Sequence, residues 1–310
     1  MFNLDTNNLL KRLNGILLPT TTPFDVRGEI DLPALRENVK KWCGQGITGI
    51  VALGSTGERV HLNEREYLMV VEATRATVPP DLVYIVGAGQ QSIVGTINEV
   101  KAAAGAGADA VLVLTPHFYR SAMNQETLLS YYTQVADACP VPVVLYSMPA
   151  LTGIKIDPVT IAKLSEHQNI FGVKDSSNDT VGFSETVKLC PREFATMTGN
   201  GTVLLDALLA GATGGILAVG CAVPDVCVEE FRAFRAGDIE RATEIQSKLT
   251  PLAAAVTTRF GIGGLKKALD LAGYRGGEVR APLSAPNPEA QREISDLLES
   301  VRTLVAAPIR

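Results

Sequence analysis

The 310-residue chain is 46% hydrophobic and 20% charged, with a formal net charge of −5. These figures suit a globular protein with a large core in one or two domains, and the acidic balance argues against nucleic acid or an anionic membrane as partner. No run approaches the ~18 apolar residues of a membrane span, and the opening "MFNLDTNNLLKRLNG" puts Asp and Asn where a secretion signal needs an unbroken apolar core. Five scattered cysteines (Cys43, Cys139, Cys190, Cys221 and Cys227) form no C-x-x-C and read as small core residues of a reduced, cytoplasmic protein. His61, His117 and His167 show no metal-ligand spacing, so no metal is expected.

The first β-rich run is "GILLPTTTPF" (15–24), followed by a helical pattern that Asp31 caps and Gly44 stops. The second, "GITGIVALG" (46–54), runs into a small-residue turn, Gly54 to Glu58. Two adjacent hydroxyls there, Ser55 and Thr56, together with exposed backbone N–H groups, make a carboxylate nest or an ordinary turn. Asn63 caps the next helix, then "LVYIVGAG" (82–89), a helix capped by Ser92 and stopped by Gly105, and "ADAVLVLTP" (108–116). Asn124 caps the helix before "VPVVLYSMP" (141–149), where Tyr146 shares a face with Val144 and Met148. A tyrosine at a strand end can shuttle protons, or it is a core tyrosine with its hydroxyl satisfied. Asp157–Pro158 opens another helix. "IFGVKDSS" (170–177) follows, with Gly172, Lys174 and Ser176 on one face. "FATMTGN" (194–200) and, after a helix stopped by Gly211, "GGILAV" (214–219) complete eight strand runs, spaced roughly 20 to 36 residues apart.

These runs are apolar nearly throughout, as strands buried on both faces must be. Eight strand–helix alternations predict an α/β fold, a (β/α)8 TIM barrel over residues 1–236. The competing open doubly wound sheet usually carries G-x-G-x-x-G after its first strand, and none is present. The run "PDVCVEEFRAFRAG" closes the barrel as its eighth helix. Residues 237–310 read as a C-terminal helical extension packed on it, with Gly273 a helix stop and "RAPLSAPNP" (280–288) a connector. A barrel's site lies at the carboxyl ends of its strands. Lys174 is then either an exposed strand-end lysine or a lumen amine above the small Gly172. A lumen amine sheds hydration, and its free base attacks a ketone to form an imine.

Taken together, "GSTGE", "YSMPALTG" and "GVKDSS" resemble one family, the pyruvate-dependent class I aldolases that include dihydrodipicolinate synthase, N-acetylneuraminate lyase and 4-hydroxy-2-oxoglutarate aldolase. The likeness runs from "LPTTTPF" to "RAPL". It implies that Lys174 is the Schiff-base lysine and Tyr146 the proton shuttle. It further implies that Ser55 and Thr56 hold the pyruvate carboxylate, and that the backbone of Ile216 lines the pocket. No cofactor is implied beyond the lysine imine. The partners implied are a 2-oxo acid (pyruvate) and an aldehyde, and the assembly a homotetramer or homodimer in which a residue after strand four reaches a neighbour's site.

Two positions depart from the synthase pattern. Leu151 stands where an arginine grips the second substrate's carboxylate, and Phe118 replaces the relay tyrosine, with Tyr119 adjacent. "YSMPALTG" and "RFGIGGLKKALDLAGYRGGEVRAPL" resemble the 4-hydroxy-2-oxoglutarate aldolase branch more closely. That resemblance implies cleavage of 4-hydroxy-2-oxoglutarate to pyruvate and glyoxylate, with Ser176, Ser177 and Tyr119 as candidate donors to the second carboxylate. The synthase, neuraminate lyase and 2-keto-3-deoxy sugar acid aldolase activities are the alternatives. A barrel that binds oxo acids without turnover is the non-enzymatic reading. A phosphate-binding barrel would use "TGNGTV" (198–203) or "GATGG" (211–215).

Overall fold

The structure of the protein, a computed structural model, describes residues 6–306. The outer ends of the two ranges expected above, residues 1–5 and 307–310, lie outside the described residues. Eight parallel strands close into a barrel: β1 (Ile16–Pro19), β2 (Gly49–Ala52), β3 (Val83–Ala88), β4 (Ala110–Leu114), β5 (Val143–Ser147), β6 (Ile170–Asp175), β7 (Ala195–Thr198) and β8 (Gly214–Ile216), with β8 pairing back onto β1. Period-two alternation splits each strand between two cores. Leu17, Val51, Ile85, Val144 and Met197 fill the lumen, while Leu18, Ile50, Tyr84, Leu145 and Val173 face the surrounding helices.

Helices α2 (Leu32–Cys43), α3 (Glu64–Arg75), α4 (Ile93–Gly105) and α5 (Gln125–Ala138) start where the sequence signals them. Asp31, Asn63, Ser92 and Asn124 each accept a hydrogen bond from a backbone N–H in the first turn, and Asn63 forms a reciprocal capping box with Glu66. The one-turn α6 (Pro149–Thr152), α7 (Pro158–Leu164), α8 (Thr180–Leu189), α9 (Leu204–Leu209) and α10 (Pro224–Arg235) complete the ring. After it come α11 (Ile239–Ala254), which widens into a π-turn over Ala255–Arg259, then α12 (Gly261–Leu271) and α13 (Pro288–Ala306). Among the described residues no helix is long and apolar enough to cross a membrane.

Several local expectations need correction. The strands are shorter than the apolar runs: β1 ends at Pro19 rather than 24, and β8 at Ile216 rather than 219. The excess at β1 is buried loop: Thr20–Thr22 are buried, the Thr22 carbonyl accepts from Lys266 on α12, and Phe24 makes isolated bridges to Ile30 and Glu278. Gly105 is still helical, and Gly107, at φ +93°, makes the left-handed exit. Asp157 precedes α7, but its side chain makes no cap bond. An unforeseen α1 (Thr6–Arg12) precedes β1. Leu9 and, just beyond the helix, Leu13 join the lumen cluster and plug one end of the barrel.

Candidate active site

Lys174 sits one residue before the end of β6, opposite Tyr146 on β5 and Met197 on β7. It is 3% exposed, which removes the exposed strand-end alternative. Its Nζ lies 4.4 Å from the centre of the Tyr146 ring, whose electron-rich face attracts a cation. The Tyr146 hydroxyl in turn lies 3.0 Å from Ser55 Oγ. Strands β2, β5 and β6 thus bring an amine, a phenol and an aliphatic hydroxyl into one chain of contacts at the carboxyl end of the lumen, where a proton can pass along the O–H···O bond. The family resemblance implies a carboxylate partner for Ser55, and the structure adds the bond between its hydroxyl and that of Tyr146.

Ser55 and Thr56 occupy a 3₁₀ turn (Ser55–Gly57) whose flanks hold two non-glycine residues in the left-handed region, Leu53 at φ +58° and Glu58 at φ +54°. Such residues each cost about 1–3 kcal/mol and persist only where surroundings enforce them. Those surroundings are visible. Thr22 Oγ1 donates to the Gly57 carbonyl at 2.8 Å. The buried Glu58 carboxylate lies 2.6 Å from Lys266 Nζ, accepts from the Arg280 backbone N–H at 3.0 Å and contacts His61 Nδ1 at 3.2 Å. Lys266 is itself 2% exposed and donates to the Thr22 and Glu278 carbonyls. The C-terminal extension therefore braces the turn that carries Ser55.

Ile216 is fully buried in the lumen cluster with Tyr146 and Met197, and Thr56 is buried in the turn. Ser176 Oγ is buried and makes no hydrogen bond among the described residues. It shares with Lys174 the space left by a missing side chain: a Cβ on Gly199 would overlap Ser176 Oγ and come within 2.6 Å of Lys174 Cε. Ser177 turns its backbone N–H to the Asp175 carboxylate, which burial pushes above the ordinary range. Tyr119 departs from the expectation. It is 70% exposed and stands edge-on to Phe118, itself 75% exposed, so within one chain neither ring walls the lumen. Both belong to the β4–α5 loop, which Gln91 Oε1 fastens by accepting the His117 and Phe118 N–H groups at 2.8 Å. The "TGNGTV" turn spends the Thr202 N–H on Asn200 Oδ1 rather than leaving it free for phosphate.

A family model described as the dihydrodipicolinate synthetase family matches residues 12–301. The chain is 33% identical over 291 residues to the 4-hydroxy-tetrahydrodipicolinate synthase of Methanothrix thermoacetophila, covering 94% of this chain and 97% of the relative. It is 34% identical to the enzyme of the same name from Acidiphilium cryptum, over 90% and 94%. Among solved structures, dihydrodipicolinate synthase DapA-2 of Bacillus anthracis superposes with a TM-score of 0.89 at 27% identity, covering 93% and 98%. YagE, an E. coli prophage protein of the dihydrodipicolinic acid synthase family in complex with pyruvate, superposes with a TM-score of 0.87 at 28% identity, covering 93% and 98%.

Proposed function

This chain belongs to the dihydrodipicolinate synthetase family of pyruvate-dependent aldolases, carbon–carbon lyases, and on that premise we propose that it cleaves 4-hydroxy-2-oxoglutarate to pyruvate and glyoxylate. The observation that carries the chemistry is the buried Lys174 amine against Tyr146, whose hydroxyl meets Ser55. The substrate's C1 carboxylate lies at Ser55 and Thr56, beside the backbone of Ile216. Lys174 Nζ attacks the C2 ketone, and the carbinolamine loses water with a proton delivered through Tyr146. The resulting iminium draws the C3–C4 bonding pair as the C4 hydroxyl gives up its proton to Tyr146. Glyoxylate leaves, and the enamine left on Lys174 takes a proton at C3. Water then hydrolyses the iminium, releasing pyruvate and the free amine. The lysine imine is the electron sink, so the proposal uses no metal or organic cofactor.

The choice of substrate is supported by Leu151, 61% exposed and apolar where the synthase pattern has an arginine. A charge-assisted contact of ~1.5–3 kcal/mol is missing there, about a factor of ten to a hundred in affinity. A second reading, condensation of pyruvate with aspartate semialdehyde, is favoured by the names of the curated relatives at 33–34% identity. The exposed Phe118–Tyr119 pair suits cover by a second copy, and five free cysteines suit a reducing cytoplasm.

The test has two arms. Incubation with pyruvate and borohydride should add a reduced pyruvyl group to Lys174, detected by peptide mass. A panel of 4-hydroxy-2-oxoglutarate, N-acetylneuraminate and 2-keto-3-deoxy sugar acids, with the aspartate semialdehyde condensation alongside, should show the first as the best substrate. An unmodified Lys174 refutes the imine, and faster turnover of another panel member refutes the substrate.

A further inference from the structure

The proposed cleavage leaves one substrate charge without a partner, the C5 carboxylate that departs on glyoxylate. Among the described residues, β4, β5 and β6 and the loops that leave their carboxyl ends carry three lysine or arginine side chains. Lys174 is the reacting amine, and Lys155 is neutralised by an ion pair with Asp179. The third is Arg120, in the short 3₁₀ turn Arg120–Ala122 that follows β4. It is exposed and makes no ion pair or side-chain hydrogen bond among the described residues.

Its side chain nonetheless has a defined seat. The guanidinium crosses from its own loop to the loop after β5 and lies against Gly153, where a Cβ would come within 3.3 Å of Cζ, Nε and Nη1 alike. Equal distances from that one position to three atoms of a planar group mean that the guanidinium lies face-on to the space beside Gly153, with its edge N–H groups directed sideways. Gly153 ends the one-turn helix that starts three residues after Tyr146, and its φ of +69° belongs to the left-handed region. A side chain here would therefore both strain the backbone and crowd the guanidinium. The loop that bears Arg120 is held at Gln91. Leu151, two residues before the seat, supplies no donor.

We infer that Arg120 grips the carboxylate at the aldehyde end of the substrate and so selects 4-hydroxy-2-oxo acids that end in a second carboxylate. This rests on the aldolase reading above and adds a specificity-determining residue to it. Planar, bidentate recognition of carboxylate is what an unpaired arginine fork does best.

The test compares kcat/KM for 4-hydroxy-2-oxoglutarate with that for 4-hydroxy-2-oxopentanoate, which has a methyl group in place of the distal carboxylate and yields acetaldehyde. Wild-type protein should favour the dicarboxylate, and Arg120→Gln should shrink that preference by about tenfold or more, with Arg120→Lys intermediate. A loop that merely loosened would lower both values together and leave their ratio unchanged, which overturns the inference. Pyruvate–borohydride trapping of the wild-type protein separates the two levels. An adduct on Lys174 with an unchanged ratio overturns the role of Arg120 alone, whereas no adduct overturns the imine mechanism and this inference with it.

Discussion

Replacing Lys266 by methionine removes the cation that lies against the buried Glu58 carboxylate from α12, at 2.6 Å, and keeps most of the side-chain volume. Both side chains are all but excluded from water, 2% and 1% exposed. Burial pulls the Lys266 ammonium below its ordinary value, and Glu58 opposes that pull. Truncating one partner of such a pair leaves the other charge buried and uncompensated, at a cost of about 3–5 kcal/mol. Lys266→Met should therefore lose a large part of a typical stability of ~5–15 kcal/mol. The Glu58→Gln, Lys266→Met double variant should recover about 1–3 kcal/mol, because the charge is gone while the amide oxygen still accepts from the Arg280 N–H. Urea unfolding at fixed protein concentration measures both. Activity supplies a second readout, since Glu58 closes the turn that brings Ser55 to Tyr146. A single-variant loss below about 1 kcal/mol, or a double variant no more stable than the single, would refute the argument from uncompensated charge.

Three further outcomes follow from other contacts. Ser55→Ala deletes the 3.0 Å bond to the Tyr146 hydroxyl. At about 0.5–1.5 kcal/mol it should lower kcat roughly two- to tenfold, and an unchanged kcat in cleavage assays would remove Ser55 from the proton path. Gly199→Ala should abolish pyruvate trapping while far-ultraviolet circular dichroism is retained, since its Cβ displaces Lys174 Cε and Ser176 Oγ; normal trapping would show that the lysine has another seat. Glu230 on α10 is fully buried, neither carboxyl oxygen has a partner among the described residues, and burial pushes it from 4.5 up to about 8. The folded protein then keeps a proton that the unfolded chain releases between those values. Stability linked to Glu230 is complete below about 4.5, falls as pH rises, and is gone above about 8, with a ceiling of ~5 kcal/mol at ~1.4 kcal/mol per pH unit. Glu230→Gln should flatten urea-unfolding stability between pH 5.5 and 8.5, and an unaltered slope would show that Glu230 is already ionised.

The barrel was legible because strands buried on both faces have nowhere to put polar residues, so each announces itself as an apolar run. The same logic explains the over-long ends. Thr20–Thr22 and Phe24 look like strand because they too are buried: Thr20 still donates to Val51 on β2, the Thr22 carbonyl accepts from Lys266, and Phe24 bridges to Glu278. Helix starts were legible for a different reason: a cap is a local bond within one turn, and Asp31, Asn63, Ser92 and Asn124 each complete theirs within three residues. The plug formed by Leu9 and Leu13 has no such local mark, since what buries it is the lumen it closes.

The same division runs through the site. Alternation puts Lys174 on one face with Gly172 and Ser176 but leaves a lumen amine and an exposed strand end both open, and it is the family resemblance that points to the lumen. The Ser55–Tyr146 bond could not be foreseen, because it depends on a turn bracketed by Leu53 and Glu58 in conformations no propensity favours. A faint signal for its brace did exist. On α12 the buried stripe includes Leu265, Ala268 and Leu269, and Lys266 falls within it rather than on the exposed face. A lysine at a core position demands a carboxylate, and the Gly-Ser-Thr-Gly-Glu turn offers one at the far end of the chain. The C-terminal helices therefore brace the candidate site: without Lys266 nothing else among the described residues would neutralise the charge that closes the Ser55 turn from that side.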